Sequence, residues 1–349
     1  MNRLLLVLAV SVLCHLPEPV LSQAYRGIRP KTFAEDIARS DASVIAEWVR
    51  NEDSAESLAG NSIYRVTKVL KNFDDKSKLG ELKAGDEVSV RAARDDPPKT
   101  PKSQWALFGY NLKQGQTKKL AWLYRKVTKT GAKYISETPA RDRPPIERLK
   151  FFVKYLEHKE DVLADDACRE FLKSPYEAVA TVGKELSPRA VRGWIANPDT
   201  VQVRLGLYGQ LLGLCGKSED AEFLKKKIKE RPNGRCVGMA GLMSGYLVLA
   251  GEDGLAFLNE EWRDFDSHWE DSYGALQSLR HMWHNRPGDI KKERLLQSAR
   301  ILLDRADMRE MVIINLIYWK DWSVIDQLMK LYPMEKSQGK RKIIEYLLV

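Results

Sequence analysis

Cysteine is scarce in this chain, with four among 349 residues. Only Cys168, Cys215 and Cys236 lie beyond the first two dozen positions. An odd number without C-x-x-C spacing argues against a disulfide scaffold. Cys215 and Cys236 either pair across neighbouring helices or sit in the core as small hydrophobes. The fold must therefore stand on its hydrophobic cores, for which a hydrophobic content of 44% is ample.

Long apolar runs are also missing. The uncharged stretch 236–251, bounded by Arg235 and Glu252, covers about 16 residues, short of the ~20 that span a bilayer. Its Gly238, Gly241 and Gly245 suit a buried helix that approaches its neighbours closely. Catalytic signatures are absent as well. There is no H-E-x-x-H, and the stretch 241–245 is not G-x-S-x-G and has a helical context. The stretch 209–218 fails as a phosphate loop, because Leu211 stands where glycine is required and the preceding pattern is helical. No nucleophile, base and orienting group can be named together, so neither an enzymatic activity nor a cofactor is expected. A hydrolase or metal-dependent enzyme is the least favoured reading.

Acid is missing from residues 97–136, where Lys99, Lys102, Lys113, Lys118, Lys119, Arg125, Lys126, Lys129 and Lys133 are interleaved with aromatic rings. Lys113, Lys118, Lys119, Trp122, Tyr124, Arg125, Lys126 and Lys129 form the candidate polyanion site. Two arrangements satisfy this pattern. Rings and cations on one face would hold a polyanion; rings turned inward would leave the lysines to solvate and protect exposed strands.

What is present begins with an address. Arg3, the apolar residues 4–13 and the small residues Ser22 and Ala24 read as a secretory signal over 1–24, cleaved near Ala24. The expected location is periplasmic or extracellular, with no transmembrane helix after cleavage. Arg3 and Glu18 leave together, so the formal charge of +9 is retained. A basic exported protein is drawn to acidic proteins, anionic glycans or lipid headgroups. Nucleic acid is the disfavoured partner.

The chain then changes period. Short β-branched and aromatic runs at 42–49, 62–70, 86–91, 105–110, 120–125 and 134–136 predict strands, with turn residues between them. The prolines at 95–101 predict an exposed connection. From 146 the apolar positions Ile146, Leu149, Phe152, Val153 and Leu156 trace a helical stripe, and helices are expected from there to the end. Ser174 and Ser187, each before a proline, and Asp307 with Glu310 are the expected helix starts. Gly216 is the expected end of a helix and Ser218 the cap of the next. Apolar helix, tight turn and amphipathic helix recur at 203–228 and 311–331. Comparable pairs at 175–196, 236–262 and 273–303 give a period of about 35 to 45 residues, matching HEAT-like repeats.

The expected fold is α+β and multidomain: a small OB-like β-barrel over 31–138, a linker at 139–145 and a HEAT-like α-α superhelical repeat domain over 146–349. Through the stretches 167–176, 204–216 and 315–322, the helical half resembles the HEAT-like repeat superfamily. It is more closely similar to exported, uncharacterised proteins of planctomycete type, a resemblance that implies architecture and export and brings no activity with it. Through 40–49, 64–71 and 82–90, the β half resembles the OB-like barrel of netrin-type and tissue-metalloproteinase-inhibitor domains. Those domains begin at an anchoring cysteine, which this half lacks.

Two further clusters compete with bland readings. His281 and His284 lie three apart, on one helical face where a metal would need a third ligand; an ordinary polar face is the alternative. The acidic stretch 260–271 lacks the pattern of a calcium loop and reads as a solvated connection. The expected function is that of a non-catalytic exported interaction or scaffold protein, binding a protein partner through its helical surface. The alternative is binding of an anionic glycan or envelope surface through the basic barrel. The apolar end at 343–349 is expected to fold back onto the preceding helices or meet another subunit.

Overall fold

The computed structural model describes residues 31–54, 57–74, 80–91, 100, 102–114, 117–230, 238–263 and 269–348. The expected signal, most of the proline-rich connection at 95–101, and Cys236 with its pairing to Cys215 lie outside the described residues. The chain divides into two compact units between Phe171 and Leu172.

The first unit opens with a helix that the sequence reading omitted, α1 (Phe33–Arg39). Its start is a capping box. Thr32 Oγ1 accepts the Glu35 N–H at 3.2 Å, while the Glu35 carboxylate accepts the Thr32 N–H at 3.0 Å. Two of the orphan donors of the first turn are thereby satisfied. The five strands β1 (Ala42–Ser54), β2 (Ser57–Lys71), β3 (Glu87–Arg91), β4 (Gln104–Gln114) and β5 (Thr117–Val127) follow. They form one antiparallel sheet in the order β3-β2-β1-β4-β5. Register shifts along the β1–β2 ladder increase the local twist. The edge strands β3 and β5 approach within 8 Å at their Cα atoms.

Strand parity sorts the side chains. Val44, Ala46, Tyr64, Val66, Val88, Val90, Trp105 and Leu107 share one face and form its core. Tyr64 meets Trp105 edge to face at 5.6 Å, and Tyr124 lies 5.9 Å from Trp105, favourable separations for aromatic rings. The other face carries the buried Ile45, Ala106 and Phe108.

The expected sixth strand at 134–136 is helical. It belongs to α2 (Lys129–Glu137), where Thr128 Oγ1 accepts the Gly131 N–H at 2.9 Å and starts the helix. α3 (Pro145–Phe152) and α4 (Asp161–Leu172) complete the unit. The proline-rich segment 139–145 thus lies within this unit, which runs on to Phe171.

Among the described residues, the second unit contains ten further helices: α5 (Tyr176–Gly183), α6 (Pro188–Ala196), α7 (Gln202–Cys215), α8 (Ser218–Glu230), α9 (Met239–Arg263), α10 (Trp269–Asn285), α11 (Lys292–Ile301), α12 (Arg309–Tyr318), α13 (Ile325–Leu331) and α14 (Ser337–Leu348). Gly216 caps the end of α7 as expected. Three start signals act differently: Ser218 is itself the first residue of α8, where Asp220 accepts the Lys217 N–H at 2.8 Å, and the other two lie before α5 and α12. The residue before α5 is Pro175, and α12 starts after Met308 while Asp307 pairs with Arg305 at 3.2 Å.

The centre of this unit is a seam between α7 and α9. A methyl group at Gly241 would overlap the Gly206 carbonyl oxygen, and one at Gly245 the Gly209 carbonyl. A methyl at Gly213 would stand 2.6 Å from the Gly245 Cα. Backbone touches backbone along the seam, which only glycine permits. α9 also bends at Gly251, whose φ of 59° and ψ of −141° break it into two helices. No described helix is long and apolar enough to cross a membrane.

Candidate functional site

The register of β5 places the residues of the candidate polyanion site. Trp122 opposes Gly109 and Tyr124 opposes Leu107, so both rings turn into the core of the sheet. The Trp122 ring lies 2.9 Å from where a Gly109 Cβ would stand, and Phe73 meets its edge at 6.4 Å. Arg125 leaves by the opposite face. Its guanidinium is 3.1 Å from the buried Asp36 carboxylate and 5.7 Å from the Phe33 ring centre. Lys126 and Lys129 are exposed. The side chains of Lys113, Lys118 and Lys119 lie outside the described residues, although Lys113 pairs with Lys118 in the ladder. The sheet therefore separates Trp122 and Tyr124, which point inward, from Arg125, which is committed to α1, while Lys126 shares the parity of the rings at the exposed end of β5.

Beneath α1 lies a polar cluster with no obvious sequence signature, because its partners are distant in the chain. Asp166, on α4, accepts the Phe33 N–H at 2.9 Å and the Tyr134 hydroxyl at 2.8 Å. Burial pushes its carboxyl up to about 7, against those two hydrogen bonds. Glu170, one turn further, accepts from the Thr32 hydroxyl and from Arg148. Arg141 stands 3.6 Å from Glu35 and 4.0 Å from Glu170. The effect of these groups is to pin the N-terminus of α1 to α4.

In the helical unit, His281 is sealed from solvent. Its Nδ1 lies 3.4 Å from the Gln210 amide nitrogen and 3.2 Å from that of Asn285, and Tyr176 meets the ring edge at 5.0 Å. Burial holds the imidazole down to about 3, with Arg286 adding to the effect. His284 is half-buried, and burial lowers it too. Among the described residues no three His, Cys, Asp or Glu side chains converge as a metal site. The acidic stretch 260–271 falls partly outside the described residues. Cys168 is buried, and burial raises the Cys215 thiol to about 11.

The most unusual surface is at the last three helices. Of the fourteen exposed large apolar side chains among the described residues, nine fall between Ile314 and Leu348. Ile314 and Tyr318 form an i,i+4 pair on the outer side of α12, and Ile325 and Met329 form one on α13. On α14 the inner stripe, Ile343 and Tyr346, is buried. Tyr346 lies against Trp322 at 5.2 Å and donates its hydroxyl to the Asp321 carbonyl at 2.5 Å. The outer stripe of Ile344, Leu347 and Leu348 remains in solvent, Leu348 at 81% exposure and Tyr318 at 70%. The terminal helix thus folds back with one apolar face and presents another.

Charge around this surface is mostly basic, with Asp326 an exposed acid on α13. Asp321 is taken by Arg300 at 2.8 Å, Glu335 by Arg309, and Glu345 by Lys342 at 2.7 Å and Arg341 at 3.3 Å. Lys320, Lys330 and Lys336 are exposed beside the apolar side chains. Lys320 holds a left-handed φ of 56°, with the Asp321 N–H donating to the Leu316 carbonyl at 2.9 Å, a Schellman-type end to α12. No family model matches this chain, and no curated protein or solved structure matches it either.

Proposed function

We propose that this chain is a non-catalytic, exported binding protein that docks a protein partner through the outer face of α12, α13 and α14. The observation that carries this reading is the exposed apolar set from Ile314 to Leu348 with its basic rim. Contiguous apolar surface rimmed by charge marks protein interaction sites. The partner it fits presents apolar side chains ringed by acids, which would pair with Lys320, Lys330 and Lys336. A catalytic reading has less support. His281 is sealed among Gln210, Asn285 and Tyr176, and the Asp166 carboxylate is occupied by the Phe33 N–H and the Tyr134 hydroxyl.

The finer architecture belongs to the same proposal. The approach of β3 to β5 supports an OB-like barrel. The contacts of α7 with α8, of α10 with α11 and of α12 with α14 support a HEAT-like stack whose last helices carry the docking face.

The test is affinity purification from the native envelope with wild-type protein and with the triple variant Tyr318→Asp, Met329→Asp, Leu347→Asp. The wild type should recover a partner that is lost with the variant and weakened by high salt, with both proteins equally folded by circular dichroism. Recovery of the same proteins by both forms would refute the reading. Concentration-dependent dimerisation of the wild type, abolished in the variant, would replace the partner with a second copy.

A further inference from the structure

We propose that the sheet-bearing unit carries a second, independent site: a cleft that binds a small organic anion with an apolar body. The cleft lies between α1, the end of β2, the end of α2 and the segment 138–142, and encloses about 480 Å³. That volume falls in the ~300–1,000 Å³ range of small-molecule sites. All of its walls belong to one compact unit.

Its lining is divided by chemistry. Ile37, Leu70, Ile135 and Pro139 supply an apolar wall. Lys68, Lys71 and Arg141 supply three cations, against the single carboxylate of Asp142. Among the described residues, neither Lys68 nor Lys71 has a carboxylate partner. Lys71 instead donates to the Ala38 carbonyl at 2.9 Å and to the Ser40 carbonyl at the end of α1. That anchorage fixes an ammonium at the cleft while leaving its charge unneutralised.

Arg141 differs from both lysines. Its guanidinium stands between the cleft and the buried carboxylates of Glu35 and Glu170, at 3.6 and 4.0 Å. Glu170 already receives Arg148, so Arg141 is held at long range and keeps donors for a ligand. The pattern fits an anionic head at Lys68, Lys71 and Arg141 and an apolar body against Ile37, Ile135 and Pro139. A carboxylate and a phosphate head are both matched by this charge.

Isothermal titration of the full-length protein with decanoate, decyl phosphate, decanol and acetate tests the assignment. Decanoate or decyl phosphate should bind at least tenfold more tightly than decanol and acetate, and the stronger of the two identifies the head. The double variant Lys68→Gln, Lys71→Gln should weaken that binding tenfold or more. Ala140→Trp, a charge-neutral change of an exposed lining residue, should block it without altering the melting temperature. Lys68→Gln alone leaves the anchorage of α1 intact and should weaken binding severalfold. Equal binding of decanol, no binding of either anion, or affinity unchanged in these variants would overturn the proposal.

Discussion

Acid should loosen the helical unit through one residue, His281. Its ring is fully enclosed, and burial depresses it from an ordinary 6.5 to about 3. The unfolded chain therefore binds a proton between these limits that the folded chain refuses. Stability is complete above pH 6.5 and falls as pH drops toward 3. Each pH unit removes about 1.4 kcal/mol, so about 3 kcal/mol is gone by pH 4.5. Segment-resolved hydrogen exchange, corrected for intrinsic rates, reads this directly. Protection in α10 should fall about a hundredfold between pH 7 and 4.5 in the wild type. In His281→Gln, which keeps an acceptor for the neighbouring amides but cannot charge, the fall should shrink to the part left by His284, which burial also lowers. The sheet unit supplies an internal contrast. Asp166 is raised from 3.8 to about 7, so its contribution is full below pH 3.8 and lost as pH climbs to about 7. β1 should thus gain protection in the acid that weakens α10. Identical profiles for wild type and His281→Gln would refute the argument.

Two further outcomes follow from packing. Gly241→Ala should cost more than about 3 kcal/mol or prevent folding, because the Gly206 carbonyl occupies the space. Gly193→Ala, where nothing lies within 4 Å, should be neutral or stabilise by up to ~1 kcal/mol; urea midpoints compare the two. Arg148→Met should cost about 3–5 kcal/mol by leaving Glu170 buried without its closest cation, and adding Glu170→Met should restore much of the loss in the same denaturation assay.

Elements with strong periodicity were readable in the sequence. All five strands and the helical stripe from 146 follow from alternation and 3.6-residue spacing. The stretch 134–136 did not, because a three-residue apolar run has no period of its own and Thr128 decides it as a helix start. α1 was legible in principle: Thr32 and Glu35 have capping-box spacing, but the helix is only seven residues long. The direction of Trp122 and Tyr124 depends on register with β4, which interleaved lysines conceal. The polar cluster was not legible at all, since burial of Asp166 and Glu170 exists only once α1 and α4 meet. The outer stripe of α14 was visible as excess apolar residues, whereas its basic rim emerged only when Arg300 and Arg309 were seen to consume the nearby acids.

The bond from Thr32 to Glu170 joins positions 138 residues apart. During synthesis, the sheet can pair while the chain is still short, but α1 cannot be locked until α4 has left the ribosome. At ~5–20 residues per second, the first unit waits several seconds for its last piece after the strands are complete. A fragment ending in the proline-rich segment near 145 would hold every described strand and still lack the clasp that α4 supplies to α1.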